Sequence, residues 1–168
     1  MNIEALYADI APKLTNYLVA NGLDYHASCD IVQETFLRIW NMRENVVDDP
    51  AQISGLAYTI ARNLRTSKFR KDSRVTFQEE IRDEDDTRDQ GPAARVPSDN
   101  DYLRRRIAEA LGKLPPLLRE AYTLFQISEK SVREIAQITG VTENLVKVRV
   151  HRAKIQLKDL LKDLKEFQ

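Results

Sequence analysis

Cys29 is the only cysteine in 168 residues, so no disulfide can form within the chain and an oxidising compartment would add nothing to its stability. Glycine (five) and proline (six) are sparse, and no stretch alternates apolar and polar residues with a strand's period. No apolar run approaches the roughly 20 residues needed to span a bilayer, and no charged-then-apolar leader opens the chain. The expectation is a cytoplasmic protein without direct membrane insertion. The two histidines, His26 and His151, are distant in sequence, which leaves no metal-ligand spacing. His26, Cys29 and Asp30 fall close together on one helix. There is no second cysteine, supporting triad pattern or phosphate loop, so no catalytic residue, metal, cofactor or small-molecule substrate is expected.

Charge of one sign is also missing overall, since 26 basic side chains balance 26 acidic ones. The average hides a segregation. Residues 1–78 carry nine of each sign, residues 79–101 three basic and nine acidic, and residues 102–168 fourteen basic and eight acidic. Such asymmetry suggests a basic nucleic-acid face and an acidic segment between modules. Helical periodicity agrees with that division. Ile3, Leu6, Tyr7, Ile10, Leu14, Tyr17 and Leu18 recur at three- and four-residue steps until Asn21-Gly22. A second helix is expected from about His26 to Met42. A loop over 43–52 follows, and a third helix runs from about Ile53 to Phe69. From Asp72 to Asp101 the pattern fails in "DEDDTRDQGPAARVPSDND", which reads as a flexible tether. Helices resume at Tyr102, break at Pro115-Pro116 and continue through Phe125. The fold class expected is all-α: a helical domain over 1–74, an acidic linker over 75–101 and a second helical domain over 102–168, each domain with its own core.

Within "DIVQETFLRIW", Cys29, Val32, Phe36, Ile39 and Trp40 share one helical arc and Asp30, Glu34 and Arg38 the opposite one. Leu37 lies on the polar side, between Asp30 and Gln33. The result is a mixed patch of one apolar group and neighbouring charges, although single exposed leucines are common.

In "SVREIAQITGVTENLVKVRVHRAKIQL", Ser131 and Glu134 fit a capping box. Gly140 suits a left-handed helix end, Val141 can plug the corner, and Thr142 can cap the next helix. This is helix-turn-helix spacing. On the second helix Val146, Val150, Ala153 and Leu157 should face the core, leaving Asn144, Lys147, Val148, His151 and Arg152 on the other side. A helix face of this kind suits the major groove, with Arg149 and Lys154 placed to hold phosphates. An isolated hairpin with a solvated basic face is the plainer explanation. Four features arriving in order favour DNA binding. "AYTIARNLRTSKFRKDSR" sets Arg62, Arg65, Lys68, Arg70, Lys71 and Arg74 among aromatics. Basic side chains can follow a nucleic-acid backbone and exposed rings can stack on bases, but Tyr58, Ile60, Ala61 and Leu64 suit a core equally well.

The order "DIVQETF", "AYTIARNL" with its basic tail, an acidic tether, "LPPLLREAYTLF" and "SVREIAQITGVTENLVKVRVHRA" resembles the extracytoplasmic-function sigma factors of the sigma-70 superfamily. Those factors contain only the second and fourth sigma domains, and the likeness covers nearly the whole chain. It implies that core RNA polymerase is the partner, engaged at the clamp helices of its largest subunit and the flap of its second-largest. Asp30, Gln33, Glu34 and Leu37 would form the clamp-docking patch. Arg62, Asn63, Arg65, Ser67 and Lys68 would lie on the element that melts and reads the −10 promoter sequence. Thr142, Asn144, Lys147, Val148, Arg149, His151 and Arg152 would read or flank the −35 element. The resemblance further implies an anti-sigma factor, a cytoplasmic location on the nucleoid when active, and membrane tethering only through such a factor. The chain departs from the family at Leu56, where a tryptophan is common, at Glu129-Lys130 in place of glycine-leucine, at Asn144-Leu145 in place of glycine-threonine, and at Val148 in place of a small polar residue. The alternative is a stand-alone helix-turn-helix regulator, which leaves the Leu37 patch and the basic tail without a role.

Overall fold

The computed structural model describes residues 1–78 and 99–163, with side chains described up to Lys71 and from Asp101 onward. Every regular element among the described residues is helical: α1 (Ile3–Ala20), α2 (Tyr25–Asn41), α3 (Pro50–Gln78), α4 (Asp99–Lys113), α5 (Pro116–Gln126), α6 (Val132–Thr139) and α7 (Glu143–Leu160). A short 3-10 turn, Arg43–Asn45, separates α2 from α3.

Local chemistry sets most boundaries. The Asn2 and Asp24 carboxamide and carboxylate oxygens accept the Ala5 and Ala27 backbone N–H groups, starting α1 and α2. Pro50 and Pro116 each open a helix at a position whose N–H would have no partner in any case. α3 therefore starts three residues before Ile53. It also continues to Gln78, past Asp72, where the sequence pattern predicts a tether. Helix extension needs only good helix formers and one further hydrogen bond per residue, not an apolar face. Residues 79–98, most of the acidic linker, lie outside the described residues, as do Leu164 and Phe167.

The two expected domains do not keep separate cores. One cluster joins Leu14, Tyr17, Leu18, Val32, Ile39, Ile53, Tyr58 and Ala61 from the N-terminal helices to Ala121, Leu124, Ile135, Ile138, Val146 and Val150 from the C-terminal ones. A second cluster belongs to the C-terminal module alone: Ala110, Leu111 and Leu114 of α4 against Ala153, Leu157 and Leu161. α4 thereby covers the apolar residues at the end of α7, Leu157 and Leu160, and Leu161 just beyond it. The Arg106 guanidinium closes this end by donating to both Asp163 oxygens at 2.7 and 2.9 Å, which holds the Asp163 carboxyl below the usual carboxylate range. Cys29 and Trp40 depart from the expected apolar arc. Cys29 is half-buried, and Trp40 is exposed at the end of α2, with the Arg43 guanidinium 4.1 Å from its ring centroid. Both lie at the arc's margins, where no neighbouring helix covers them fully.

Candidate nucleic-acid and polymerase interfaces

α2 turns Ile31, Val32, Thr35, Phe36 and Ile39 inward, and this fixes what faces outward. Asp30, Gln33, Glu34 and Leu37 are all exposed, Leu37 to 57%. Glu34 pairs with Arg38 one turn on at 3.0 Å. Exposed pairs of this kind contribute only a few tenths of a kcal/mol, so Glu34 can exchange its partner at little cost. The mixed patch read from the sequence is thus a continuous outer face.

The helix-turn-helix forms as its residues predict. Ser131 Oγ accepts from the Glu134 N–H, and the Glu134 carboxylate accepts from the Ser131 N–H. Gly140 adopts φ 72°, which is inexpensive only for glycine, and Thr142 Oγ1 accepts from the Leu145 N–H at 3.2 Å. Val146, Val150, Ala153 and Leu157 are buried, while Thr142, Asn144, Lys147, Val148, His151 and Arg152 are exposed and Arg149 is half-buried. Leu145 adds an exposed apolar group, and Lys154 sits 4.9 Å from the Phe125 ring.

α3 is arranged differently. Tyr58 and Ala61 belong to the core, and Ile60 and Leu64 pack against it. Asn63 and Ser67 are exposed, as are Phe69, Arg70 and Lys71, and Lys68 is half-buried. Arg62 and Arg65 are only partly exposed, and neither is free. Both converge on Glu120 of α5, Arg62 Nε donating to Oε1 at 2.9 Å and an Arg65 terminal nitrogen to Oε2 at 2.5 Å. The Tyr17 hydroxyl donates to the same carboxylate at 3.1 Å. Burial first, and the Glu120 charge second, push the Tyr17 phenol well above its ordinary value, so it remains a proton donor. Glu120 itself is 3% exposed.

Further polar contacts line the same seam. Asn21 Nδ2 donates to Thr123 Oγ1 at 2.9 Å, and Lys13 pairs with Glu129 at 3.2 Å. Lys130 Nζ donates to the Ser54 hydroxyl and lies 4.8 Å from the Tyr58 ring centroid. Burial lowers the Lys130 pKa, with Glu134 opposing, and burial pushes the Tyr58 phenol up to about 12. Sequence reasoning missed Glu120, Tyr17 and Lys130 as partners of the basic helix. One local signal existed: Glu120 is a carboxylate on the arc shared by Ala121 and Leu124, where an apolar residue would be expected. Among the described residues, no group of three or more His, Cys, Asp or Glu is placed to hold a metal ion.

Comparison with known proteins accounts for this layout. Residues 6–75 match the model of sigma-70 region 2, and residues 104–157 that of sigma-70 region 4. The chain is 30% identical to the RNA polymerase sigma factor CarQ of Myxococcus xanthus, covering 96% of this chain and 90% of CarQ. It is also 30% identical to the ECF RNA polymerase sigma factor SigE of Mycolicibacterium smegmatis, covering 92% of this chain but spanning only 58% of that protein. Among solved structures, the sigma factor RpoE of Bartonella quintana, in complex with the anti-sigma factor NepR, superposes with a TM-score of 0.75 at 25% identity over 95% of this chain and 96% of that one. CnrH, in complex with the cytosolic domain of CnrY, shares the fold with a TM-score of 0.64 at 21% identity over 97% of this chain and 89% of that one. A region-2 module carrying the α2 patch and the basic α3, followed by a region-4 module carrying the helix-turn-helix, places this chain in the extracytoplasmic-function group of the sigma-70 family of RNA polymerase sigma factors.

Proposed function

We propose that the chain directs core RNA polymerase to a set of promoters and assists their melting by binding alone, without a covalent step of its own. Asp30, Gln33, Glu34 and Leu37 dock on the clamp helices of the largest subunit, Leu37 contributing apolar contact while the polar groups set register and association rate. The flap of the second-largest subunit receives the C-terminal module. Lys147, Val148, His151 and Arg152 face the −35 element. Thr142, Asn144 and Arg149 flank them. At Val148 only apolar contact with a thymine methyl is available. On α3, Asn63 and Ser67 can pair with an extruded base, since a carboxamide offers both a donor and an acceptor. Arg62, Arg65 and Lys68 supply positive charge for the −10 strand. An anti-sigma factor is a further expected partner, because the RpoE and CnrH neighbours were each solved bound to a second protein.

The observation that carries this reading is the solvent exposure of Asp30, Gln33, Glu34 and Leu37 on α2 and of Lys147, Val148, His151 and Arg152 on α7, in two different modules. A stand-alone regulator would need only the second. The test is binding to purified sigma-free core RNA polymerase, comparing the wild type with a folded Gln33→Ala/Glu34→Lys variant. Tight wild-type binding weakened at least about tenfold in the variant is expected, the size of effect typical of charge reversal in a docking face. Absent wild-type binding, with duplex DNA still bound by α7, would favour the stand-alone regulator.

A further inference from the structure

Two of the exposed large apolar side chains stand together on the helix that carries the −35 candidates: Leu145, 38% exposed, and Val148, 41%. They are three residues apart on α7, which makes them neighbours on its surface. Val146, Val150, Ala153 and Leu157 fix the buried side of that helix, and at about 100° per residue Val148 points almost directly away from them. Asn144, Lys147 and His151 lie along one flank of the pair, Arg149 and Arg152 along the other. A single exposed leucine or valine is ordinary. Here two form a short apolar strip with positive charge on both sides, in the first turns of the second helix of a helix-turn-helix.

Side chains at the start of such a helix reach base edges in the major groove. That groove presents hydrogen-bonding groups and one apolar group, the C5-methyl of thymine. The Leu145 and Val148 side chains have no donor or acceptor, so a polar base edge pressed against them loses hydration without gaining a partner. The methyl is what they can complement. Cations on both flanks suit the phosphates on either side of the groove, which makes nucleic acid, rather than an apolar protein surface, the occupant that fits this strip. Side chains three apart on a helix are about 5–6 Å apart, between one and two base steps of about 3.4 Å. The pair can therefore meet methyl groups on neighbouring base pairs.

We propose that Leu145 and Val148 form a methyl-reading pair, through which the C-terminal module selects −35 elements carrying thymine C5-methyl groups on neighbouring base pairs. The proposal rests on the assignment of α7 to the −35 element and adds to it the feature of the sequence that is read. Lys147, His151 and Arg152 supply polar contacts, and the apolar pair discriminates against pyrimidines that lack the methyl.

The test uses holoenzyme assembled from core RNA polymerase and the full chain. A promoter library randomised over the −35 window and made without modified bases leaves thymine as its source of C5-methyl groups. Sequences retained by the wild type are resynthesised with deoxyuridine for thymine in that window alone, an exchange that removes methyl groups and keeps every hydrogen-bonding group. Burying one methyl is worth about fourfold in affinity, so at fixed salt the wild type is expected to lose about fourfold for each of two thymines. Val148→Ser and Leu145→Ser, both at exposed positions, should each keep only one of the two penalties. Should either variant fail to fold, the exchange on the wild type decides alone. Retained sequences without thymines on neighbouring base pairs, an exchange without effect, or equal penalties in wild type and variants overturns the methyl-reading pair and leaves the sigma role standing. A holoenzyme that retains no preferred −35 sequence overturns the assignment of α7, and a chain that does not assemble with core polymerase overturns the sigma-factor reading, each taking the pair with it.

Discussion

α3 and α7 carry similar chemistry to opposite ends. Each is a helix with a buried apolar face and a row of basic and hydrogen-bonding side chains opposite it. On α7 Lys147, His151 and Arg152 stand in solvent, while on α3 the side chains of Arg62 and Arg65 are only 27% and 13% exposed because Glu120 lies against them. Basic residues at helical spacing thus say what a surface is able to bind. Whether it is available to bind depends on a residue elsewhere in the chain.

The largest expected way to separate the two helices is alkaline pH, because the two most deeply buried phenols among the described residues, Tyr17 and Tyr58, lie on the α3 side of the molecule. The Tyr58 phenol is pushed up from the ordinary 10 to about 12 by burial, and that of Tyr17 is shifted in the same direction. The unfolded chain releases both protons near pH 10 and the folded chain retains them, so the stability is full below pH 10 and declines above it. Each tyrosine contributes a slope of about 1.4 kcal/mol per pH unit. Lys130 opposes this, since its lowered pKa favours the folded state as pH rises toward 10.5. A net loss of about 3–5 kcal/mol between pH 10 and 12 is expected in urea melts. Replacing Tyr17 and Tyr58 by Phe should flatten that slope, and an unchanged slope would contradict the assignment.

Next in size is truncation of the arginines themselves. Arg65→Ala leaves Glu120 buried with one guanidinium instead of two, and a loss of about 2–4 kcal/mol in urea-unfolding stability is expected. Lys147→Ala, on the exposed face of α7, should stay within about 0.5 kcal/mol of wild type while lowering the salt dependence of duplex binding by about one charge. Equal effects on stability would erase the contrast between the two helices. The smallest change expected is at Glu129, which adopts φ 56°, a left-handed geometry unfavourable for a side chain with a Cβ. Glu129→Gly relieves that strain, at the expense of the exposed Lys13 pair and of added freedom in the unfolded chain. A net gain of about 0.5 kcal/mol is expected by thermal melting, and a clear loss would show that the Lys13 contact outweighs the backbone strain.

Legibility from the sequence followed the range of the interactions. Ser131, Glu134, Gly140 and Thr142 act on backbone groups within three or four residues, and the helix-turn-helix was readable down to each cap. The outward face of α2 was readable for the same reason, as 3.6-residue periodicity assigns Asp30, Gln33, Glu34 and Leu37 to one side. The start of α3 at Pro50 and its length to Gln78 were not, because apolar periodicity marks where a helix packs and not where it ends. Arg62 and Arg65 were recognised as candidate DNA contacts, but their closed-state partner was not. A pairing across 55 residues leaves no periodic trace, and the shared core that brings Glu120 there is made from residues that look, locally, like two separate domains. The departure at Glu129 was visible in the sequence, and its geometric cost became apparent only from the backbone angle.

α7 belongs to both apolar clusters: Val146 and Val150 sit in the one that spans the modules, Ala153 and Leu157 in the one shared with α4. A single continuous helix is therefore anchored in two regions that need not unfold together, and hydrogen exchange along its backbone measures each of them separately. Amides near Val146 report the packing of α7 on α5 and α6, those near Leu157 report its packing on α4, and the difference in protection between them measures how far the two ends of the helix open independently.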